Sequence, residues 1–264
     1  MRHTILLLTI LFLGLFSCSI ALADNQISVP VLVYHNFDPI KKGSMTISTQ
    51  KFATQMQWLK SNGYTVIPLM TLVNYSKGKI NALPPKSVVI TADDGRESVY
   101  QYMFPIVRKY NIPVTLFIYP MVISHAAYAL TWEQLKDLQK TGLFDVQGHT
   151  YWHPNFKQEK KHLSESAYQK MVYAQLVTSK KILEQKLGTK ITLLAWPFGI
   201  HDTYLENEAA KAGYIAAFSI AARHDCRAEK MMAQPRYMMV EDQSMAMFEA
   251  IVKGRAQGKR QKTC

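Results

Sequence analysis

The sequence predicts a single α/β domain built as a closed or nearly closed (β/α) barrel of seven or eight parallel strands. Three observations predict it. Short apolar runs rich in β-formers alternate with helical patterns along almost the whole chain. No internal repeat, low-complexity stretch or Pro/Gly/Ser linker interrupts that alternation. Seven or eight such units fit into roughly 240 residues, the scale of a barrel. An open doubly wound sheet would satisfy the same pattern, because sequence does not show closure.

The strand candidates, in order, are residues 31–34, 65–67, 88–91, 114–118, 144–146, 191–195 and 215–219, with 237–240 as an eighth. Their apolar character runs unbroken, so both faces should be covered. Between the first two, Ser48 is placed to cap a helix carrying Phe52, Met56 and Leu59 on one face, and Gly63 to close it. Pro105 falls inside the helical pattern 97–110, which predicts a kink or a late start there. Thr131 with Gln134, and Ser166 with Gln169, have capping-box spacing; the second pair should open a long helix reaching Leu187, stopped by Gly188.

Ahead of these elements, residues 1–23 read as a signal peptide. Arg2 and His3 precede an apolar run over 5–16, and Ala21-Leu22-Ala23 supplies the small-x-small cleavage pattern. The run is short for a membrane span, although an uncleaved anchor is compatible with it. Cys18 offers a rival lipoprotein reading that the bulky Phe16 fits badly. The chain is therefore expected to be exported, to a periplasm or the medium. Loss of the signal leaves Cys226 and Cys264, and a bridge between them is permitted in an oxidising compartment. The domain proper is expected over 24–252.

The formal charge is +12, or +11 without Arg2, and residues 253–264 form a basic tail: Lys253, Arg255, Lys259, Arg260 and Lys262 have no acidic residue among them. Such a tail is solvated and could touch an anionic envelope. Nucleic acid is not the expected partner, since no nucleic-acid motif accompanies the charge. At 48% hydrophobic and 19% charged residues the chain can build a packed core, which excludes global disorder.

Chemistry-bearing residues cluster where strands end: His35 after the first, Asp93 and Asp94 after the third, His149 after the fifth, and Pro197 to Gly199 after the sixth. In parallel α/β folds those ends converge on one face. In Thr91-Ala92-Asp93-Asp94-Gly95 adjacent side chains diverge, so one carboxylate can bind a cation while the other takes a proton. Taken alone, Asp-Asp-Gly also makes an ordinary turn or helix cap. His149-Thr150-Tyr151-Trp152-His153 places two imidazoles four apart, and Pro154 disfavours helix at His153, predicting a loop or single turn. Two His and one Asp would give zinc, or another divalent metal ion, three ligands and an open position. Tyr151, Trp152, Trp196 and Phe198 offer a sugar-stacking wall, with core packing as the alternative. His125, His162, His201 and His224 lack ligand spacing and are expected at the surface. There is no phosphate-cradling glycine loop and no Gly-x-Ser-x-Gly elbow.

These motifs resemble those of the polysaccharide deacetylases of carbohydrate esterase family four, which carry aromatic-Asp-Asp-Gly and His-Ser/Thr-x-x-His. The resemblance covers essentially the whole chain after residue 23. It implies a distorted (β/α) barrel, Asp93 as catalytic base, and Asp94, His149 and His153 as metal ligands. Ala92 stands where the family has an aromatic residue. Ala195 stands where an arginine opens the Arg-x-Pro-x-Gly loop, here Ala195-Trp196-Pro197-Phe198-Gly199. The usual C-terminal acid histidine is missing, since no His follows His224. A subgroup acting on poly-β-1,6-N-acetylglucosamine carries that histidine in an N-terminal strand, and Val33-Tyr34-His35-Asn36 resembles its motif. By that resemblance His35 is the general acid; Arg236, preceding a late strand, could replace the missing arginine in orienting Asp93, and Trp152, Trp196, Pro197, Phe198 and Gly199 are the candidate substrate contacts. A hydrogen-bonded core histidine and a plain surface arginine are the alternatives for His35 and Arg236. Deacetylation of an N-acetylated polysaccharide is the activity implied, with chitin oligomers, peptidoglycan or acetylated xylan as other substrates. A non-catalytic carbohydrate-binding role remains the reading from a different class.

Overall fold

Among the described residues ten strands, numbered in chain order, carry the fold: β1 (Val31–Tyr34), β2 (Asn36–Phe37), β3 (Thr46–Ile47), β4 (Thr65–Val66), β5 (Ser87–Asp93), β6 (Val114–Ile118), β7 (Phe144–Gly148), β8 (Leu193–Ala195), β9 (Ala216–Phe218) and β10 (Tyr237–Met238). The structure, a computed structural model, describes residues 27–40 and 43–255. The main sheet runs β10-β1-β5-β6-β7-β8-β9, with β4 added on β5. Every pairing in it is parallel.

The sheet curls into a distorted barrel. No ladder joins β9 to β10, and the run-in to β10 spans that gap instead. Gln234 N donates to Ala217 O (2.8 Å), and Ser219 N to Gln234 O (2.7 Å). Both sheet faces are covered, as unbroken apolar strands require. Leu32, Tyr34, Ile90, Ala92, Leu116 and Ile118 pack outward under the helices. Val31, Val89, Phe117, Leu193, Ala195 and Phe218 pack in a second cluster on the opposite face.

Helix α1 (Thr49–Ser61) follows its sequence pattern: Ser48 Oγ accepts from Lys51 N, and Phe52, Met56 and Leu59 are buried. Thr131 and Gln134 form both bonds of a capping box on the helix Trp132–Lys140. The helix expected over 97–110 starts late, as Pro105 demands. A π turn (Val99–Met103) precedes α-helix Phe104–Tyr110, whose first turn holds the proline.

Several boundaries differ from the sequence reading. The long helix is capped by Ser164, whose hydroxyl accepts from Ala167 N, and not by Ser166. Gln169 bonds Glu165 Oε1 instead of closing a box. This helix continues through a π segment (Ala174–Thr178) into Ser179–Leu187, where Gly188 takes a left-handed C-cap. Strand β8 is shorter than 191–195, because Gln147 Oε1 accepts from both Thr192 N and Leu193 N (2.9 Å each). Among the described residues no helix is long and apolar enough to cross a membrane. The segment 1–23 expected as a signal, Cys18, Cys264 with any bridge to it, and the tail from 256 onward lie outside the described residues. Lys253 C-caps the last helix and bonds Glu249 (2.8 Å).

Candidate active site

Strand β5 ends at the barrel mouth with Asp93 still in register against Phe117 of β6. Period-two alternation puts Asp93 on the same face as Val89 and Thr91. Its side chain is 2% exposed, and a buried carboxylate needs a partner. Arg236 supplies it through a two-pronged contact, Nη1 to Oδ1 and Nη2 to Oδ2, each 2.8 Å. The guanidinium is itself locked: Nε donates to Ser219 O (3.0 Å), Nη1 also to Thr91 Oγ1 (3.2 Å), and its plane lies over Phe117. Burial alone would raise the Asp93 pKa, but the Arg236 charge and hydrogen bonds, helped by His149, hold it at about 2.

At Asp94 the chain turns sharply. Asp94 and Gly95 both adopt left-handed backbone, φ 74° and 67°. A Cβ at Gly95 would come within 2.9 Å of Ile123 Cδ1 at a left-handed φ, so any side chain there would be strained. The turn brings the Asp94 carboxylate to both histidines, while Asp93 Oδ2 also lies 3.9 Å from His149 Nε2.

Those histidines follow β7, which extends to Gly148 and so delivers His149 directly at its end. The segment 149–153 is a loop, as Pro154 predicts, with left-handed Thr150 (φ 64°) and His153 (φ 62°). With Phe198 (φ 56°), four non-glycine residues in this strained region within one site mark a place where geometry is imposed by the surroundings. Asp94 Oδ1 lies 3.7 Å from His149 Nε2 and 3.8 Å from His153 Nε2. All three ligand atoms fall within 4.8 Å of one another. His149 Nδ1 sits 2.8 Å from the Ala195 carbonyl, which requires a proton on Nδ1 and leaves the Nε2 lone pair facing Asp94. Burial lowers the His149 pKa to about 4 and also lowers that of His153. Both rings are thus neutral at pH 7, the form that ligates metal. One oxygen and two imidazole nitrogens, converging with open positions, fit a small divalent cation.

A cleft of about 360 Å³ opens over this cluster, lined by His35, Asp93, Asp94, His149, His153, Trp196 and Phe198 together with Met45, Ile220 and Met238. Its volume lies within the range of small-ligand sites. His35 is 8% exposed and its Nδ1, though buried, has no hydrogen-bond partner. Burial lowers the His35 pKa, and the nearby Asp93 and Asp94 charges oppose the shift. Phe198 is 56% exposed and stands edge-on to the His153 ring at 4.6 Å. Trp196 is buried, its indole N–H bonded to Met232 O (2.8 Å). Trp152, Pro197 and Gly199 do not line this cleft.

Two site neighbours escaped the sequence reading. Tyr119, the first residue after β6, lies tilted against the His153 ring with centroids 5.4 Å apart and shares a 3.0 Å hydroxyl bond with Tyr128. The strand-end rule that picks His35 would have picked it. Arg96 Nε lies 3.7 Å from Asp94 Oδ2, with its guanidinium over Tyr128. The other histidines divide: His125 and His162 are exposed, as expected. His224 is buried, its Nε2 2.7 Å from Ile251 O, and His201 is half-buried against Glu206 (2.9 Å), so neither is the surface residue the sequence suggested. His224 takes its partner from a segment 27 residues on, and His201 from the first turns of the helix just after it, neither of which ligand spacing reveals.

Fold and site define a barrel enzyme whose mouth holds an unprotonated carboxylate beside an Asp-His-His cluster able to take a metal ion. The polysaccharide deacetylase family model matches residues 80–217, more than half of the chain, and the chain belongs to that family. Its activity is polysaccharide N-deacetylation. A poly-beta-1,6-N-acetyl-D-glucosamine N-deacetylase of Staphylococcus aureus is 28% identical over 213 residues, covering 79% of this chain and 71% of its own. The deacetylase PplD of Streptococcus pyogenes, solved with acetate, superposes with a TM-score of 0.76 at 22% identity, over 87% of this chain and 99% of its own. IcaB from Ammonifex degensii does so with a TM-score of 0.74 at 23% identity, over 87% and 97%. These two likenesses support the fold.

Proposed function

We propose that this enzyme removes N-acetyl groups from poly-β-1,6-N-acetylglucosamine, with a divalent metal ion, zinc by preference, held by Asp94, His149 and His153. The observation that carries the reading is the division of the aspartate pair. Asp93 is clamped and unprotonated on Arg236, while Asp94, free of that clamp, reaches both neutral imidazoles. Bound there, the ion would supply Lewis-acid polarisation of the acetamide carbonyl and of a water.

The chain's own groups do the rest. Asp93 accepts a proton as water adds to the acetamide carbon, and Arg236 keeps its carboxylate aimed and ionised until then. His35, across the same cleft, gives a proton to the amide nitrogen as the C–N bond breaks. Acetate and a free amine leave. The place of His35 in the lining of the same cleft as Asp93, Asp94 and the two metal-facing histidines supports this role. Phe198, exposed at the rim, provides an apolar face against which a sugar ring can stack.

The preference for the β-1,6-linked polymer rests on the Staphylococcus aureus relative and on the acid's location at the end of β1. Residues 1–23 serve as an export signal, 24–252 form the deacetylase domain and 253–264 a basic tail that can approach an anionic envelope. Acetate release from β-1,6-linked N-acetylglucosamine oligomers, with and without chelator and added zinc, tests the reading. Release that resists chelation would refute metal dependence. Faster release from chitin oligomers, peptidoglycan or acetylated xylan would refute the substrate.

A further inference from the structure

The loop that carries both imidazoles is held from behind by one buried amide. Gln175 is fully buried, and its Oε1 accepts from Tyr151 N (3.0 Å) and from Trp152 N (3.1 Å). Both partners are donors, which fixes the oxygen in that position. The Nε2 has no partner, so what this place requires is an acceptor. Four residues on, the buried Ser179 Oγ donates to Thr150 O (2.6 Å). Three consecutive residues between the two histidines are thereby tied to a single helix.

That helix is irregular where it makes these bonds. Ala174–Thr178 is a π segment set between two α-helical stretches. Each residue advances an α-helix by about 100°, so the wider π turn changes which side chains face the loop. The segment is itself braced, since Tyr214 Oη donates to Leu176 O (3.1 Å). The same hydroxyl would lie 3.1 Å from a Cβ placed on Gly148, the residue before His149. Thr150 and His153, with φ of 64° and 62°, do not hold left-handed backbone unaided.

We infer that Gln175 is a positioning residue for the metal cluster: its acceptor oxygen, presented by the π segment, sets the loop geometry at which His149 and His153 meet Asp94. It touches neither substrate nor ion and acts through Tyr151 N and Trp152 N. The inference rests on the reading of Asp94, His149 and His153 as metal ligands.

The test compares wild type, Gln175→Met and Gln175→Glu by zinc affinity, measured in competition with a chromogenic chelator, and by the visible spectrum of the cobalt-substituted protein. Melting of the metal-free proteins runs alongside. Gln175→Met removes the acceptor and should weaken zinc binding about 10- to 100-fold, the range found for groups that orient metal ligands, and alter the cobalt spectrum. Gln175→Glu retains an oxygen at the same place and should restore affinity to within about threefold. A merely structural role would lower the melting temperature without separating these two variants. If Gln175→Met fails to fold, Ser179→Ala, which frees Thr150 O, should weaken zinc binding about threefold or more. Unchanged affinity in a folded Gln175→Met, equal loss in Gln175→Glu, or unchanged affinity in Ser179→Ala would overturn this inference alone. A wild-type protein that binds no zinc would overturn the metal reading first.

Discussion

Replacing Arg236 with Met isolates the electrostatic core of the site. Asp93 is fully buried, and its carboxyl sits at about 2 because the guanidinium outweighs burial. Relative to an ordinary value near 4, that shift corresponds to about 2–3 kcal/mol in favour of the folded state. The sign follows from the depressed folded value. This contribution is present above about pH 4 and is lost as pH falls through about 2. In Arg236→Met the main opposition is gone, and burial outweighs the remaining pull of His149 and His35, so the Asp93 pKa rises above its ordinary value. Its effect on stability then reverses, being favourable at low pH and lost as pH rises.

Removing one partner of a buried pair costs about 3–5 kcal/mol, a large part of a domain's total stability. The deficit of Arg236→Met should therefore be greatest at pH 7 and shrink as pH falls towards about 4, where Asp93 takes a proton. Urea unfolding of metal-free protein at a series of pH values measures it. Adding Asp93→Asn to Arg236→Met should cut the deficit at pH 7, because no buried charge is then left alone. Arg236→Lys keeps a charge but loses the fork and the bond to Ser219 O, so it should fall between. A deficit under about 1 kcal/mol at pH 7, or one that stays constant down to pH 4, would refute the reasoning.

Other consequences are simpler. Asp93→Asn should abolish acetate release while zinc content, measured by atomic absorption, stays at the wild-type level; equal loss of zinc would contradict the assignment of a base. His35→Gln should slow turnover by about 10²- to 10⁴-fold, again with zinc retained, and a smaller effect would return His35 to the core. His149→Ala should lose zinc binding outright, as read by calorimetry. Gly199→Ala places a Cβ 2.5 Å from Ile220 Cγ1 and 3.0 Å from Ile220 N at φ 66°, so it should destabilise by about 1–3 kcal/mol in thermal melts.

What the sequence disclosed and what it withheld follow one physical line. Periodic burial is written in residue type, so Ser48, Phe52, Met56 and Leu59 announce their helix, and the apolar strand runs announce the barrel. Residues that break such a run at its end announce the site, which is how His35, Asp93, Asp94 and His149 were legible. Long-range pairing is another matter. Arg236 lies 143 positions from Asp93, and only the curl of the sheet brings them together; it was reachable because a missing arginine left a carboxylate in need of a partner. Side chains that address backbone leave no such clue. Gln175 serves Tyr151 N and Trp152 N, Gln147 serves Thr192 N and Leu193 N, and His224 serves Ile251 O. Almost every residue offers an amide and a carbonyl, so no complementary residue type exists to search for. The π segments are hidden for the same reason, since one wider turn changes backbone pairing without changing composition. The polar groups that meet in the cleft could thus be named from the sequence, while the backbone-directed contacts that hold them in place became visible only with the chain folded.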